Sequence, residues 1–439
     1  MADSTPTRNH PILVVMIDGL GDRTWPELGD RTPLEAALTP NLDALARTSA
    51  TGVLYPLGPG RAPGTELAHF VLLGYPAHTY PGRVVFEAAG CGFELSPDDV
   101  AFRALFSMVH REEDGALVLV EHFAGVDDVL CRDLTDALEP LEHSGLTVSL
   151  AFTGARQGVL TVSGGASEDV TDCDPFFTGE PVAAVRPLDN ARDAAAASRT
   201  ATAMTAFLEH AYRFLRENGP SSAGESLFPL VKWVGRKRPL PAFAERTGMQ
   251  GVIVGSGSLL PGIAAELEMG FRPVPTRDDP RTDIEQRLAE TGRALAEGAD
   301  FVLAHTKVAD EAGHAKDPSL KRDVIAALDR GMASLASRSG LPPDTIVCVT
   351  SDHGTPSGTR LIHSGDPVPV IISGPGVGAD AVERFSERAC ATGSLGHLRG
   401  EDFMPVLLNA RGTTRYLGAR LSSHVGLHWP EEYETFRVR

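Results

Sequence analysis

Short apolar runs alternate with helix-patterned stretches in the first and last parts of the chain. The apolar runs cover residues 11–17, 301–304, 345–350 and 368–372, and each leads into a polar or glycine-rich turn. Residues 283–297 and 321–336 carry apolar side chains at spacings of three and four, which is typical of amphipathic helices. This alternation predicts an α/β fold with a doubly wound, mostly parallel sheet, in which ligands bind at the carboxyl ends of the strands.

The middle of the chain has a different pattern. A smaller, more antiparallel sheet is predicted from the apolar runs at 104–109, 117–123, 146–152 and 158–162. A long amphipathic helix is expected at 198–216, followed by a polar loop at 218–225. We therefore predict a smaller α+β cap domain at 105–285, inserted into a discontinuous core formed by 1–104 and 286–439.

Composition narrows the classes of function. The chain has 439 residues, 42% of them hydrophobic, which is enough for two domains and a large core. Its formal net charge of -18 argues against nucleic acid or an anionic membrane as partner, although local cations can still bind an anionic substrate. No apolar run approaches the roughly 20 residues that span a bilayer, and no signal peptide is recognised.

The five cysteines are odd in number, widely spaced and without a CxxC pair. This pattern predicts neither a disulfide framework nor a thiolate zinc site, and it fits a reducing, cytoplasmic location.

Two early residues are candidates for chemistry. Asp18 closes the first predicted strand, where a carboxylate would point into the crevice above the sheet, although alone it would be interpreted as a turn residue before Gly19. Thr65 precedes a helical stretch and is expected at its N-cap. The free N–H groups and the dipole at that position favour an anion, and a hydroxyl beside a metal can become a nucleophile.

Two later segments add carboxylates and imidazoles. Asp310 and His314 are four residues apart, so one helical turn would place both on the same face as ligands of one metal. Asp352 and His353 end another strand, and His363 follows ten residues later. Each piece alone would be structural, but together they suggest seven ligands: Asp18, Thr65, Asp310, His314, Asp352, His353 and His363.

This ligand set predicts the cofactors. Mixed Asp and His ligands favour Mn²⁺ or Zn²⁺ over Mg²⁺, which prefers an all-oxygen shell. Seven ligands are appropriate for two divalent metal ions that flank a transferring phosphoryl group. The expected partner is a small anionic phosphorylated substrate, and no organic cofactor is expected.

The motifs together resemble the archaeal-type 2,3-bisphosphoglycerate-independent phosphoglycerate mutases of the alkaline phosphatase superfamily. The resemblance extends over nearly the whole chain. It is carried by Ile17–Arg23, Thr32–Ala36, Thr39–Asp43, Ala68-His69, Leu73–Tyr75, Gly82-Arg83, Phe86–Ala88, Asp99–Arg103, Asp310–His314, Ser351–His353, His363–Pro369, Gly396–Gly400 and Met404-Pro405.

The resemblance implies roles for the matching residues. Asp18, Thr65, Asp352 and His353 would hold one metal, and Asp310, His314 and His363 the other. Thr65 would accept the phosphoryl group as a phospho-threonine, with Lys307 and Arg83 assisting. The implied substrate contacts are Arg83, Arg103, Lys307, Lys232, Arg236 and Arg399.

Several positions depart from the family pattern. Thr65 replaces the usual serine, Glu66-Leu67 replaces Asp-Thr, and Val84-Val85 replaces Gly-Pro. In the predicted inserted domain, Phe176 replaces a histidine, and the stretch 232–238 replaces Arg-Gly-Ala-Gly. His397 stands where an arginine is common. The core chemistry is thus expected to persist, while substrate recognition is expected to differ.

Four functions remain open at this point. The first is phosphoglycerate mutase, which interconverts 3- and 2-phosphoglycerate. The second is a mutase-derived transferase for another small phospho- or phosphono-carboxylate in specialised biosynthesis. The third is a phosphomonoesterase or phosphodiesterase. The fourth is a silent binding protein, against which the complete ligand set argues.

Overall fold

The computed structural model describes residues 10–123, 125–222, 224–414 and 436–438. Its contacts divide the chain into two compact units, Met1–Tyr80 with Leu240–Arg439 and Pro81–Pro239, here called the metal unit and the inserted unit. None of the described helices combines the length and apolarity that a membrane span requires.

The strands of both units are, in chain order, β1 (Ile12–Ile17), β2 (Ala50–Tyr55), β3 (Val100–Arg111), β4 (Leu117–Glu121), β5 (Leu141–His143), β6 (Leu146–Gly154), β7 (Gln157–Ser163), β8 (Ser221–Ser222), β9 (Glu225–Gly235), β10 (Gly251–Gly255), β11 (Gly270–Pro273), β12 (Phe301–Thr306), β13 (Ile346–Thr350), β14 (Val368–Ser373) and β15 (Gly396–Arg399).

The α-helices are α1 (Pro33–Ala36), α2 (Pro40–Ala46), α3 (Thr65–Leu72), α4 (Arg83–Gly90), α5 (Asp128–Ala137), α6 (Ala194–Asn218), α7 (Phe243–Thr247), α8 (Leu259–Glu266), α9 (Pro280–Ala296), α10 (Val308–His314), α11 (Pro318–Gly331), α12 (Ala333–Ala336), α13 (Glu387–Cys390) and α14 (Gly400–Arg411). Short 3-10 turns lie at Pro26–Leu28 and Ala77–Thr79.

The metal unit contains an eight-stranded, mostly parallel sheet in the order β11-β10-β12-β1-β13-β14-β2-β15. Its central strand β1 pairs in parallel with β12 on one side and with β13 on the other. All six residues of β1 are buried, as a strand covered on both faces requires. Only β14 runs antiparallel to its neighbours. The predicted α/β class is therefore confirmed.

The inserted unit is built on a seven-stranded antiparallel sheet, in which β4 lies off the path β5-β6-β7-β3-β9-β8 and pairs with β3. The 25-residue helix α6 packs on this sheet and buries a mainly apolar face, with mostly small residues in its first half and mostly larger ones in its second half. Gly82 and Gly235 let α4 begin against β9, because a Cβ at Gly82 would lie 2.5 Å from the Cα of Gly235.

The domain boundaries differ from the predicted 105–285. The inserted unit begins earlier because β3 starts at Val100 and pairs throughout with strands of the antiparallel sheet. It ends earlier because β10 pairs in parallel with β12 of the metal unit. The sequence of a strand does not determine which sheet the strand joins. The predicted inserted domain therefore included β10, whereas this strand belongs to the sheet of the metal unit. The predicted loop at 218–225 contains the short strand β8.

A buried lysine ties together the loops that carry the metal unit's chemistry. Lys321 of α11 is fully buried, and its ammonium donates to Gly21 O at 3.0 Å and to Thr355 O at 2.7 Å. A third bond, also of 3.0 Å, goes to the Asp22 carboxylate. The loops after β1 and β13 are thereby held to one point on α11.

Replacing this lysine should destabilise the metal unit strongly. In Lys321→Met the Asp22 carboxylate loses its cation, so we expect the free energy of unfolding to fall by about 3–5 kcal/mol. Urea denaturation followed by circular dichroism measures it. The control is Arg322→Met on the exposed side of α11, where the change should stay within about 0.5 kcal/mol. Equal effects of the two substitutions would contradict this account.

Candidate metal centre

The order of the strands brings the predicted ligands together. Asp18 follows β1, Asp310 lies just beyond β12, and Asp352 with His353 follows β13. Because β12, β1 and β13 are adjacent and parallel, their carboxyl ends meet at one edge of the sheet. Residues up to 335 positions apart in the chain thus converge on one site.

One group of ligands surrounds the Nε2 atom of His353. Asp18 Oδ1 lies 3.2 Å from this nitrogen, Asp352 Oδ2 lies 3.3 Å away, and Thr65 Oγ1 lies 3.2 Å away. Asp18, Asp352 and His353 are fully buried. Thr65 is the first residue of α3 and Gly64 is the N-cap, so the predicted N-cap position was wrong by one residue. The hydroxyl still lies at the start of the helix.

A second group surrounds Asp310. Its Oδ1 lies 3.2 Å from His314 Nε2 and 3.8 Å from His363 Nε2. Asp310 and His314 are one turn apart on α10, as their spacing predicts. The rings of His353 and His363 stack with centroids 3.6 Å apart, which joins the two groups. The structure therefore brings together all seven predicted ligands.

The hydrogen bonds fix which imidazole nitrogens carry protons. His363 Nδ1 lies 2.7 Å from Pro63 O, and a carbonyl only accepts, so Nδ1 donates to it and Nε2 is the nitrogen that faces Asp310. Thr355 Oγ1 donates to Asp310 Oδ1 at 2.6 Å and lies 3.2 Å from His353 Nδ1, which must then donate to it. His353 Nε2 therefore presents a lone pair to its neighbours.

Burial sets the electrostatics of the centre. Burial, with the charge of Asp310, raises the pKa of Asp18 to about 7. Burial and the charges of Asp18 and Asp310 raise the pKa of Asp352 well above its usual value. Burial lowers the pKa of His353, so its imidazole is neutral. Burial alone would raise the pKa of Asp310, but a hydrogen bond from His314 and nearby positive charge bring it below its usual value.

The chemistry of the donors fits divalent cations. Asp18 Oδ1 and Asp352 Oδ2 are buried and make no hydrogen bond. They face the Nε2 lone pair of His353, so this part of the centre consists of acceptors that a divalent cation would satisfy in place of the protons that burial favours. Asp18, Asp352 and His353 could hold one ion, and Asp310, His353 and His363 could hold another. His353 belongs to both geometric groups, whereas the sequence assigned it to the first alone.

Three residues of the centre were not predicted as ligands. His69 lies one turn after Thr65 on α3; its Nδ1 donates to Thr65 O at 2.7 Å, and its buried Nε2 makes no hydrogen bond. His305, in the buried strand β12, lies 3.1 Å from Asp18 Oδ2. With Asp352 these histidines form a further geometric group. Thr355 connects the two ligand groups. For His305, the sequence did contain a signal: a histidine within the apolar run of β12 is an unusual residue in a buried strand.

The predicted substrate-binding cations lie in both units. In the metal unit, Lys307 is the exposed N-cap of α10, and its charge acts on Asp18 to lower that pKa. Arg399 is exposed at the N-cap of α14, where Asp402 accepts from its backbone N–H. Among the described residues, no hydrogen bond or ion pair links the Arg399 side chain to the metal ligands.

The other four cations lie in the inserted unit. Arg83 and Arg103 share the carboxylate of Glu87, at 2.9 and 3.1 Å. Lys232 is buried and pairs with Asp174. Arg236 donates to the carbonyls of residues 98 and 166. Arg83, Arg103 and Lys232 therefore belong to one cluster, whereas Arg236 is bound to backbone.

Comparison with known proteins shows to which superfamily this architecture belongs. A family model described as the metalloenzyme superfamily matches residues 10–410. The fold and the Asp/His centre thus define a member of the metalloenzyme superfamily.

Its relatives identify the family more closely. The chain is 37% identical to the 2,3-bisphosphoglycerate-independent phosphoglycerate mutase of Methanopyrus kandleri, covering 93% of this chain and 98% of the relative. It belongs to the family of the 2,3-bisphosphoglycerate-independent phosphoglycerate mutases, as the sequence resemblance predicted.

Two solved structures are similar to this chain over nearly its whole length. The cofactor-independent phosphoglycerate mutase from Thermoplasma acidophilum is 32% identical with a TM-score of 0.59, over 92% of this chain and all of that one. A Pyrococcus horikoshii protein is 27% identical with a TM-score of 0.73, over 94% of this chain and all of that one.

Cation binding should depend on pH in a defined direction. Because the pKa of Asp18 is raised to about 7 and that of Asp352 is raised, the metal-free centre holds protons that a bound cation must displace. The apparent affinity for Mn²⁺ should therefore rise as pH increases from about 6 to 8, with more protons released at pH 6.

Isothermal titration calorimetry in two buffers of different ionisation enthalpy measures both quantities. Asp18→Asn should weaken binding and reduce the number of protons released. Asp366→Asn changes an exposed carboxylate paired with Arg23 and should leave both unchanged. An affinity that stays constant across this range would rule out proton displacement.

Proposed function

We propose that this protein is a phosphoglycerate mutase, which interconverts 3- and 2-phosphoglycerate by metal-dependent phosphoryl transfer through a phospho-threonine at Thr65. The observation that carries the proposal is the position of Thr65 Oγ1, 3.2 Å from His353 Nε2 at the start of α3. This hydroxyl lies among the Asp and His side chains that form the candidate metal centre. The names of the relatives supply the substrate.

Two divalent cations, Mn²⁺ or Zn²⁺, would neutralise the phosphoryl charge and activate the Thr65 hydroxyl. Asp18, Asp352, His353 and Thr65 would hold one of them, and Asp310, His314 and His363 the other. His363 is oriented by its bond to Pro63 O, and His353 by Thr355. Such supporting bonds keep the lone pairs directed into the centre.

The remaining residues position the substrate. The first turn of α3 offers backbone N–H groups and a positive dipole to phosphoryl oxygens. The ammonium of Lys307 would add positive charge beside Asp18. Arg83, Arg103 and Lys232 of the inserted unit would bind an anionic group of the substrate, and Arg236 and Arg399 would assist.

The reaction is balanced within the substrate. Thr65 Oγ bonds to phosphorus as the bond from phosphorus to one glycerate oxygen breaks. The other glycerate oxygen then takes the phosphoryl group from Thr65. In the first step the hydroxyl proton of Thr65 goes to the released glycerate oxygen, and in the second step the proton of the receiving hydroxyl returns to Thr65 Oγ. Retention of glycerate between the two steps distinguishes a mutase from a phosphatase, because water would otherwise accept the phosphoryl group.

One observation favours a second candidate function. Trp233 and Phe176 occupy positions beside Lys232 in the inserted unit, with their rings 4.5 and 5.1 Å from its ammonium. Bulky rings there would reshape a substrate site. A transferase that acts on another small phospho- or phosphono-carboxylate is therefore the alternative. None of the five cysteines, all of which lie in the described part of the chain, forms a disulfide, which supports a reducing, cytoplasmic setting for either function.

Phosphorus NMR of the metal-loaded protein with 3-phosphoglycerate separates these functions. A growing 2-phosphoglycerate signal supports the mutase, and it should vanish when a chelator removes the cations. Release of inorganic phosphate alone would instead identify a phosphatase. An unchanged spectrum would reject both and leave the transferase, which mass spectrometry of Thr65 can then test with other phospho-carboxylates.

Substitutions of Thr65 test the nucleophile directly. Thr65→Ala should lower turnover by at least about 1000-fold, because the phosphoryl acceptor is lost while six cation ligands remain. Thr65→Ser keeps the hydroxyl and should retain turnover within about tenfold of the original. Initial rates in the enolase-coupled assay, with metal content measured on the same samples, provide the comparison. An active alanine variant would eliminate Thr65 as the acceptor.

A further inference from the structure

One indole ring in the inserted unit collects three positive charges. The guanidinium of Arg83 lies 3.8 Å from the centroid of Trp233, and that of Arg103 lies 4.8 Å away. The ammonium of Lys232 lies 4.5 Å from the same centroid. Three cations around one aromatic ring repel each other, although each is attracted to the ring's negative face.

The backbone that presents this ring is strained. Trp233 has φ of +56°, a left-handed conformation that a bulky residue rarely adopts. On β3, residues 101 and 103 pair with residues 235 and 232 of β9, so β9 contains one extra residue at this point. Such a bulge redirects a side chain, and the strained residue costs about 1–3 kcal/mol. Strain of this kind concentrates at ligand sites.

Carboxylates hold the cations from the other side. Glu87 binds both Arg83 and Arg103 through their Nε atoms. Asp174 accepts from Lys232 at 2.5 Å and lies 2.9 Å from His122 Nε2. The cations are thus held in fixed positions between a ring and two carboxylates.

The charge of this cluster indicates its ligand. Arg83, Arg103 and Lys232 supply three positive charges, and Glu87 and Asp174 supply two negative ones. One positive charge remains in a protein whose net charge is -18. Asp172 lies nearby, and burial raises the pKa of its carboxyl. For the five groups counted, a ligand with a single negative charge balances the sum, whereas a phosphate dianion exceeds it.

We propose that Trp233 is a positioning residue that arranges Arg83, Arg103 and Lys232 into a carboxylate site, and so determines specificity for phosphorylated substrates that carry a carboxylate. Stacking on a ring fixes the plane of a guanidinium, and two fixed guanidiniums match the geometry of a planar carboxylate. The proposal rests on the proposed function in one respect, because phosphoglycerate is a phosphorylated substrate that carries a carboxylate.

Binding of D-glycerate tests the site without turnover. Isothermal titration calorimetry uses the metal-loaded protein in saturating inorganic phosphate, which blocks the metal centre. Trp233→Gly should weaken glycerate binding at least about tenfold, since three cation–π contacts are lost. Glycine adopts the left-handed backbone freely, so the fold should persist. Phosphate affinity, measured separately, should stay unchanged. Absence of glycerate binding to the original protein would overturn the proposal.

Further variants separate a positioning role from a structural one. Trp233→Phe retains a ring and should lose less glycerate affinity than the glycine variant, which also covers the case in which the latter fails to fold. Phe123→Leu removes a ring that contacts one arginine, Arg156 at 5.3 Å, and should bind glycerate normally. Equal loss of affinity in Phe123→Leu and Trp233→Phe would count against the proposal.

Kinetics then distinguish this inference from the proposed function. For 3-phosphoglycerate, Trp233→Gly should raise KM at least about tenfold with a smaller change in kcat. Thr65→Ala should lose turnover yet bind glycerate as the original protein does. If no phosphoglycerate is interconverted but glycerate binding still depends on Trp233, the proposed function fails and the carboxylate site stands. If turnover is intact and Trp233→Gly binds glycerate normally, the carboxylate site fails and the proposed function stands.

Discussion

Three carboxylates, those of Asp18, Asp310 and Asp352, are buried together at the edge of one sheet. Their mutual repulsion and their loss of hydration would favour protonation, which explains the raised pKa of two of them. The buried histidine beside them cannot supply positive charge, because burial lowers its pKa. Divalent cations held by these side chains would resolve this conflict.

The fold around the centre holds these unfavourable neighbours in place. The parallel strands β12, β1 and β13 bring the carboxylates to one edge of the sheet. The stability of this large buried sheet offsets the unfavourable free energy of placing the carboxylates close together. Lys321 fixes the two loops from below, and Thr355 connects Asp310 to His353. A rigid arrangement of this kind is what electrostatic catalysis requires, since the charges do not need to reorganise during the reaction.

In the inserted unit the charges that lie close together are positive. The ring of Trp233 makes cation–π contacts with three of these cations, and Glu87 and Asp174 neutralise most of their charge through ion pairs. Departures from the family pattern lie in both units: Thr65 and His397 are in the metal unit, and Phe176 and residues 232–238 are in the inserted unit. Among them, Phe176 and Trp233 place their rings beside the ammonium of Lys232.

The sequence by itself determined the α/β class, the buried strands and the ligand types, because hydrophobic periodicity and residue chemistry are local properties. It also indicated the pairing of Asp310 with His314, which depends only on one helical turn. Only the tertiary structure decided the domain boundaries, the position of His305 beside Asp18, and the gathering of Arg83, Arg103 and Lys232 around Trp233. Those features depend on strand order and on a bulge between paired strands, and neither is encoded in any single segment.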